Sequence, residues 1–463
     1  MRVAVLFFVL SIWAAIASQT LFAQRQSAFR VQKISIEGND VTRPSVILRE
    51  MNVHVGDELD TANIPAFIQE NERRLLNLTL FTTVAITATT ADSGLSLSVK
   101  VNERFYIIPR PIIQLADRNF NVWWTEMHAD LRRVNIGMKV SDNNFRGNLE
   151  TLTAIVQAGY TQQLGLEYVR PYLDKRQQQG IGLFGSVSQS GELAYKTDSD
   201  KQLFAKLPGS HIVRNYSAGI SWYYRPAYAF RHSISLSWQQ TSVSDTVLSL
   251  NKEYIGDGKD EVSYLELNYR LDINKVNNWN YPLRGFKSVN YATLRRGLEN
   301  FGMQEQIRTE TGFYGNIPGL DNTNFYSFIF RGRLSFQDNV PYFLQTALGT
   351  KTDYVRGYEY YVVDGSHYAL LRLDLKREIF SKTYTGLPFR YLPTLPLRIY
   401  PKLFADAGIT HNPYPGNSFL SDRLLYSAGV GVDIVSAYDL KIRLEAAVNR
   451  LGQYGLYLHL NSE

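Results

Sequence analysis

Residues 440–448 read Leu440-Lys441-Ile442-Arg443-Leu444-Glu445-Ala446-Ala447-Val448. In an extended chain successive side chains point to opposite faces. Leu440, Ile442, Leu444, Ala446 and Val448 then share one face, and Lys441, Arg443, Glu445 and Ala447 the other. Much of the chain repeats this division. In 369–376, Ala369, Leu371, Leu373 and Leu375 oppose Leu370, Arg372, Asp374 and Lys376. In 264–271, Leu265, Leu267, Tyr269 and Leu271 oppose Tyr264, Glu266, Asn268 and Arg270. In 233–239, Ile234, Leu236 and Trp238 oppose four polar residues. Helical periodicity nearly vanishes beyond residue 111.

Alternation by itself also fits a soluble sandwich or a surface sheet. Three features favour a barrel in a membrane. One face carries charge in strand after strand, over runs close to the ~9–11 residues that cross a bilayer. Aromatic residues recur near strand ends, as an interfacial girdle requires: Trp123-Trp124, Trp222-Tyr223-Tyr224 and Tyr360-Tyr361. The alternating region is far longer than one sandwich and shows no second core pattern. Lipid offers no partner to backbone N–H and C=O, so a chain without a membrane helix can span only as a closed barrel. Sharing the 353 residues from 111 to 463 among sixteen strands leaves about 22 for each strand with its connection; fourteen or eighteen also fit. The mean hydropathy of -0.22 and the 20% charged residues do not argue against this, since both faces are averaged.

The first segment reads as an address. Met1-Arg2 is a positive start, 3–17 is apolar, and Leu21-Phe22-Ala23 precedes Gln24 as a cleavage site. We expect a secretory signal peptide over 1–23; the apolar run is short for the alternative, a membrane anchor. The chain has no Cys, which excludes disulfides, thiol catalysis, cysteine metal sites and a lipid-modified cysteine. Its net charge of +6 lacks basic blocks and argues neither for nor against nucleic acid.

Between these parts lies a small mixed domain. Residues 31–37 alternate and stop at Gly38-Asn39-Asp40. Thr42 and Pro44 start a helix that runs to about Asn52. A second helix is expected over 64–78, with Ile64, Ile68, Leu75 and Leu78 near one face. Two alternating runs follow, 81–89 and 95–101, joined by a turn at Asp92-Ser93-Gly94. The order strand–helix–helix–strand–strand buries one sheet face under two helices. Its exposed sheet edge can accept an extended peptide through backbone hydrogen bonds.

Three stretches go further: Tyr354-Val355-Arg356-Gly357-Tyr358 in a long connection after Leu348-Gly349, Phe404-Ala405-Asp406-Ala407-Gly408, and residues 277–286. With the small domain in front, the chain resembles the BamA/TamA superfamily of outer-membrane assembly and translocation proteins (the bacterial surface antigen family). The resemblance implies a mainly β fold: an α+β POTRA-like domain (βααββ) over 27–104, then a transmembrane antiparallel barrel, expected at sixteen strands, over 105–463. It further implies that Val355, Arg356, Gly357 and Tyr358 tip an extracellular loop that folds back into the barrel. Arg356 would meet Asp406 on the inner wall, where Phe404 and Gly408 complete the wall motif. Asp374, on a polar strand face, is a second acceptor. A guanidinium in a polar lumen needs a carboxylate, and a two-pronged pair also fixes geometry. The chain departs from better-known members in having one POTRA-like domain and no aromatic residue at its end.

Other chemistry is not indicated. Gly180-Ile181-Gly182-Leu183-Phe184-Gly185 matches G-x-G-x-x-G, but it follows a polar turn and no helix comes after it, so the glycines are read as bending points in a strand. G-x-S-x-G and H-E-x-x-H do not occur, and Asp117-Arg118 reads as a local ion pair. The resemblance therefore implies a non-enzymatic factor without cofactor or metal, in the bacterial outer membrane with its N-terminal domain in the periplasm. Its partners would be unfolded outer-membrane or secreted clients, outer-membrane lipid and accessory lipoproteins, with no nucleic acid. Client strands would bind by strand addition and pass through a barrel seam or lumen. The alternative is a passive outer-membrane channel or solute transporter.

Overall fold

The computed structural model of the chain describes residues 28–461, apart from 52, 92–93, 175, 208, 299–301, 338–339, 351, 387–393 and 437–439. The signal-peptide reading of 1–23, the Asp92-Ser93 turn and the last two residues lie outside the described residues. Two compact units are present. One is built from residues up to Asn39 with Glu50–Asn102, the other from Asp40–Arg49 with Glu103–Glu463.

The N-terminal segment runs β1 (Ala28–Glu37), α1 (Pro44–Glu50), β2 (Glu58–Asp60), α2 (Ile64–Leu76), β3 (Phe81–Ala91) and β4 (Gly94–Glu103). The sheet order is β2-β1-β4-β3, with β1 and β4 parallel. Leu95, Leu97, Val99 and Val101 of β4 are all buried, together with Leu75 of α2 and Phe81 and Ile86 of β3. Dyad alternation thus places one face of β4 in the core. β2 is the one addition to the expected order. It follows Gly56, whose positive φ of 102 lets the chain turn back to pair antiparallel with β1.

The larger unit is a closed antiparallel sheet. Its strands are β5 (Ile107–Leu115), β6 (Val134–Asp142), β7 (Thr151–Gly159), β8 (Thr161–Arg170), β9 (Gln179–Ser190), β12 (Val213–Ala227), β13 (Phe230–Val243), β14 (Glu261–Val276), β15 (Gly285–Gly297), β16 (Met303–Asn316) and β17 (Asn324–Ser335), then β20 (His367–Arg377), β21 (Phe380–Thr385), β22 (Thr394–His411), β23 (Leu425–Val435), β24 (Lys441–Asn449) and β25 (Tyr454–Asn461). Two small hairpins, β10 (Glu192–Asp198) with β11 (Lys201–Lys206) and β18 (Thr346–Leu348) with β19 (Val363–Asp364), belong to the connections. β20 pairs with β22 as far as Lys376↔Lys402, and β21 resumes along the same β22 at Phe380↔Ile399, one extra residue having entered between them. β20 and β21 are therefore one bulged stave, and the 17 strands of the barrel form sixteen staves. The G-x-G-x-x-G stretch lies inside β9, in a strand.

Burial is inverted relative to a soluble protein. Ile113, Ile136, Leu164, Leu267, Leu403, Val430, Leu444 and Leu456 are exposed, while Ser237, Thr293, Ser327, Asp374, Lys402, Asp406, Asp433 and Glu445 are buried. An apolar outside and a charged inside is the arrangement lipid demands. Part of the expected girdle is present: Trp124 is 59% exposed and Trp222 is 41% exposed. Tyr360 and Tyr361 are not part of it. They lie on the connection before β20, where Tyr360 packs on the buried Tyr457 and Tyr361 on Tyr358 and Phe419. An aromatic pair near a strand end in sequence need not face lipid when its connection folds inward.

Candidate functional site

The connection from β17 to β20 returns into the barrel, and Arg356 anchors it, only 4% exposed. Its Nε donates to Asp406 Oδ2 at 2.9 Å and its Nη2 to Asp406 Oδ1 at 2.5 Å, a two-pronged pair. Nη1 donates to Asp374 Oδ1 at 2.7 Å and to Glu445 Oε1 at 3.3 Å, and Nη2 also reaches the Leu373 carbonyl at 3.5 Å. The Arg356 backbone N–H donates to Asp406 as well, at 3.0 Å. The guanidinium carbon sits 4.0 Å from the centre of the Phe404 ring, so the plane is stacked while its edge is hydrogen-bonded.

Three staves supply the acceptors: Asp374 on β20, Asp406 on β22 and Glu445 on β24. β23, between the last two, places Gly429 opposite Phe404 and Gly431 opposite Lys402. A Cβ on Gly429 would stand 2.5 Å from the Phe404 ring and 2.1 Å from the Ala446 carbonyl, so a small residue there gives Phe404 its space. Gly408 does the same for the loop, since a Cβ would lie 2.6 Å from Val355 Cγ2. Gly357 has φ 87, and its carbonyl accepts from Asn449 Nδ2 at 2.7 Å. Tyr358 is buried with Val355, Leu348, Leu370, Leu420 and Leu425, and its hydroxyl donates to the Tyr426 carbonyl at 3.4 Å.

Charge continues along the wall. Lys402 bridges Asp433 at 2.5 Å and Glu445 at 2.7 Å, Lys376 lies 3.5 Å from Asp374, and Arg372 3.7 Å from Asp406. Four cations (Arg356, Arg372, Lys376, Lys402) thus alternate with four carboxylates (Asp374, Asp406, Asp433, Glu445), so removing any one leaves a buried opposite charge. Sequence reading named Asp406 and Asp374 and missed Glu445 and Lys402. Both sit at inward positions of alternating strands, but alternation does not say which staves face each other. It also missed Asp353, which anchors the loop a second time through Arg308 at 2.9 Å and the Tyr368 hydroxyl at 2.9 Å.

Asp117 and Arg118 do not form the expected local pair. Asp117 accepts from the buried Arg133 at 2.7 Å, and Arg133 also reaches Glu192. Arg118 instead donates to the Tyr361 carbonyl at 2.6 Å and the Gly349 carbonyl at 3.3 Å, and Asn119 Nδ2 to the Glu359 carbonyl at 2.8 Å. Residues 116–119 bend away from the end of β5, so each of the two side chains finds a different partner.

Residues 29–104 match the POTRA family, described as surface antigen variable number repeat. They are a POTRA domain. Over nearly the whole chain the fold is that of BamA from Haemophilus ducreyi lacking POTRA domains 1–3 (TM-score 0.54, 15% identity, 95% of this chain and 84% of that one). It is also that of CdiB from Escherichia coli (TM-score 0.53, 13% identity, 94% and 75%). None of the curated proteins matches the sequence. The chain is therefore BamA/TamA-like in fold, with one POTRA domain. The edge strands of that sheet are the short β2 and the long β3, and part of β3 is already occupied: the Ile86 N–H donates to the Glu72 carboxylate of α2 at 2.8 Å.

Proposed function

We propose that this protein is a non-enzymatic outer-membrane assembly or translocation factor, exported by a signal peptide over 1–23, with its POTRA domain (27–104) in the periplasm and its barrel (105–463) in the outer membrane. The observation that carries the reading is the loop bound across the inner wall through Arg356, in the closed barrel of a chain that also carries a POTRA domain. A passive pore has no use for a buried arginine stacked on Phe404 and shared among carboxylates of three staves. Unfolded outer-membrane or secreted clients would add a strand to the β3 edge, displacing Glu72 from Ile86. They would then template on the barrel's first and last strands, β5 and β25, before moving into lipid or through the lumen. Accessory lipoproteins would dock on the same side. The Arg356 loop braces the wall while the seam works.

The test is reconstitution. The full chain in liposomes of outer-membrane lipid should accelerate insertion or passage of an unfolded client, and crosslinkers in residues 81–91 should trap that client. Large steady conductance in planar bilayers, with neither acceleration nor crosslinks, would favour the channel reading instead.

A further inference from the structure

The barrel closes between β25 and β5, and hydrogen bonds flanking each strand show which backbone groups face that seam. Asn143 N–H donates to the Tyr106 carbonyl and Ala116 N–H to the Arg133 carbonyl. Both fit the unbroken β5–β6 register, so the even-numbered residues of β5 bond to β6. The odd-numbered residues, Ile107, Pro109, Pro111, Ile113 and Leu115, turn their backbone away from β6, to the seam side. Two of these five are proline, so that side of β5 lacks two N–H donors. On β25, Asn449 N–H donates to the Gln453 carbonyl, in register with β24–β25. The odd residues of β25 therefore serve β24, and Leu456 and Leu458 face the seam.

What meets Leu456 and Leu458 there is a side chain. Asn121 Nδ2 donates to the Leu456 carbonyl at 2.6 Å, and the Leu458 N–H donates to Asn121 Oδ1 at 3.4 Å. One carboxamide thus stands where a peptide unit of a neighbouring strand would, satisfying both groups on either side of Tyr457. Asn121 is held at the start of a short helix, Val122–Glu126: Thr125 Oγ1 donates to the Asn121 carbonyl at 2.7 Å, and Val122 N–H to Asn119 Oδ1 at 2.9 Å. The same five residues, 117–121, carry Arg118 and Asn119, which bind the carbonyls of the Arg356 loop.

We propose that Asn121 is the latch of the seam. At Leu456 and Leu458 the seam is held by a side chain in place of a neighbouring strand's backbone, and one carboxamide can let go without unzipping a ladder. Arg118 and Asn119 tie that latch to the loop, so the state of the loop and the state of the seam are coupled through one turn. This deepens the assembly reading and rests on it for the purpose of opening, but the latch itself is testable without any client.

The experiment is hydrogen exchange by mass spectrometry on the full-length protein in lipid nanodiscs without client. Asn121→Leu should speed exchange in residues 454–461 at least about tenfold, and Asn121→Asp, which keeps the acceptor but loses the donor, should fall between. Exchange in β13 and β14, far from the seam, should not change and reports that the barrel is folded. Unchanged exchange in 454–461 for Asn121→Leu, with β13 and β14 protected, overturns the latch. The expected exchange changes without any client insertion would instead overturn the assembly reading and leave the latch standing.

Discussion

Replacing Arg356 by Ala tests whether the loop is held by charge. The side chain is 4% exposed and engages Asp406 twice, Asp374 once and Glu445 at longer range. Breaking a buried pair by removing one partner costs about 3–5 kcal/mol, because the remaining charge stays buried. Two residual contacts soften this: Arg372 lies 3.7 Å from Asp406, and Ser327 Oγ donates to Asp374 at 2.8 Å. The low end, about 3 kcal/mol, is therefore expected, which shifts the docked-to-free ratio of the loop by about 100-fold. Arg356→Lys keeps the charge but has no planar fork, so it cannot hold both oxygens of Asp406 while reaching Asp374, and about half the loss is expected. Amide exchange of residues 354–361, in detergent or nanodiscs, reads the opening directly. The double variant Arg356→Ala with Asp406→Ala should be milder than the sum of the singles, since it leaves one fewer orphaned charge. A change under about threefold in Arg356→Ala, with the barrel still resistant to unfolding on an unheated gel, would refute the reasoning.

Three further outcomes are expected. Gly408→Ala puts a Cβ 2.6 Å from Val355 and 3.2 Å from Leu348, so the loop should loosen by about 1–3 kcal/mol while the barrel still forms, which exchange at 354–358 would show. Burial, with Asp200 adding to it, raises the Asp364 carboxyl from 3.8 to about 6. Docking of the β18–β19 hairpin then binds a proton that the free loop releases. Its stability is full below about pH 4 and falls as pH rises through about 6, by at most about 3 kcal/mol. Asp364→Asn should flatten this profile, read as exchange in 363–364 corrected for intrinsic rate. Glu72→Ala frees the Ile86 N–H on the β3 edge, and an extended client peptide should bind the full-length protein about 2- to 10-fold more tightly by titration, whereas unchanged affinity would mean that clients do not use this edge.

Much of the fold was legible because barrel physics is written in a period of two. Lys402, Asp406 and Glu445 each occupy inward positions of runs whose outward positions are Leu403, Leu444 and their like, and no tertiary detail is needed to see it. The sixteen staves were legible only as a quotient of length, because the bulge that merges β20 with β21 depends on pairing, not on composition. In the site, Arg356 and Asp406 carried a signal because a motif names them. Glu445 and Asp353 carried none, since which stave stands across the lumen from which loop residue is set by closure of the whole barrel. Tyr360 and Tyr361 misled for the same reason: a strand-end aromatic signals lipid only if its connection points outward.

The prolines of β5 show where local chemistry and closure meet. Ile107-Ile108-Pro109-Arg110-Pro111 carries two prolines, and a proline interrupts a ladder on the side to which its nitrogen points. In the barrel both nitrogens point the same way, since they are two residues apart, and that way is the seam. β6 therefore keeps its full set of partners while the seam side of β5 lacks two donors. A single proline would weaken either side according to register. Two at this spacing weaken one side only, and the strand remains firmly part of the wall on the other. That asymmetry is what a barrel needs if one of its sixteen junctions is to open while the rest hold. Where β25 shows Leu456 and Leu458 to the seam, the single Asn121 amide takes the place of a strand's backbone.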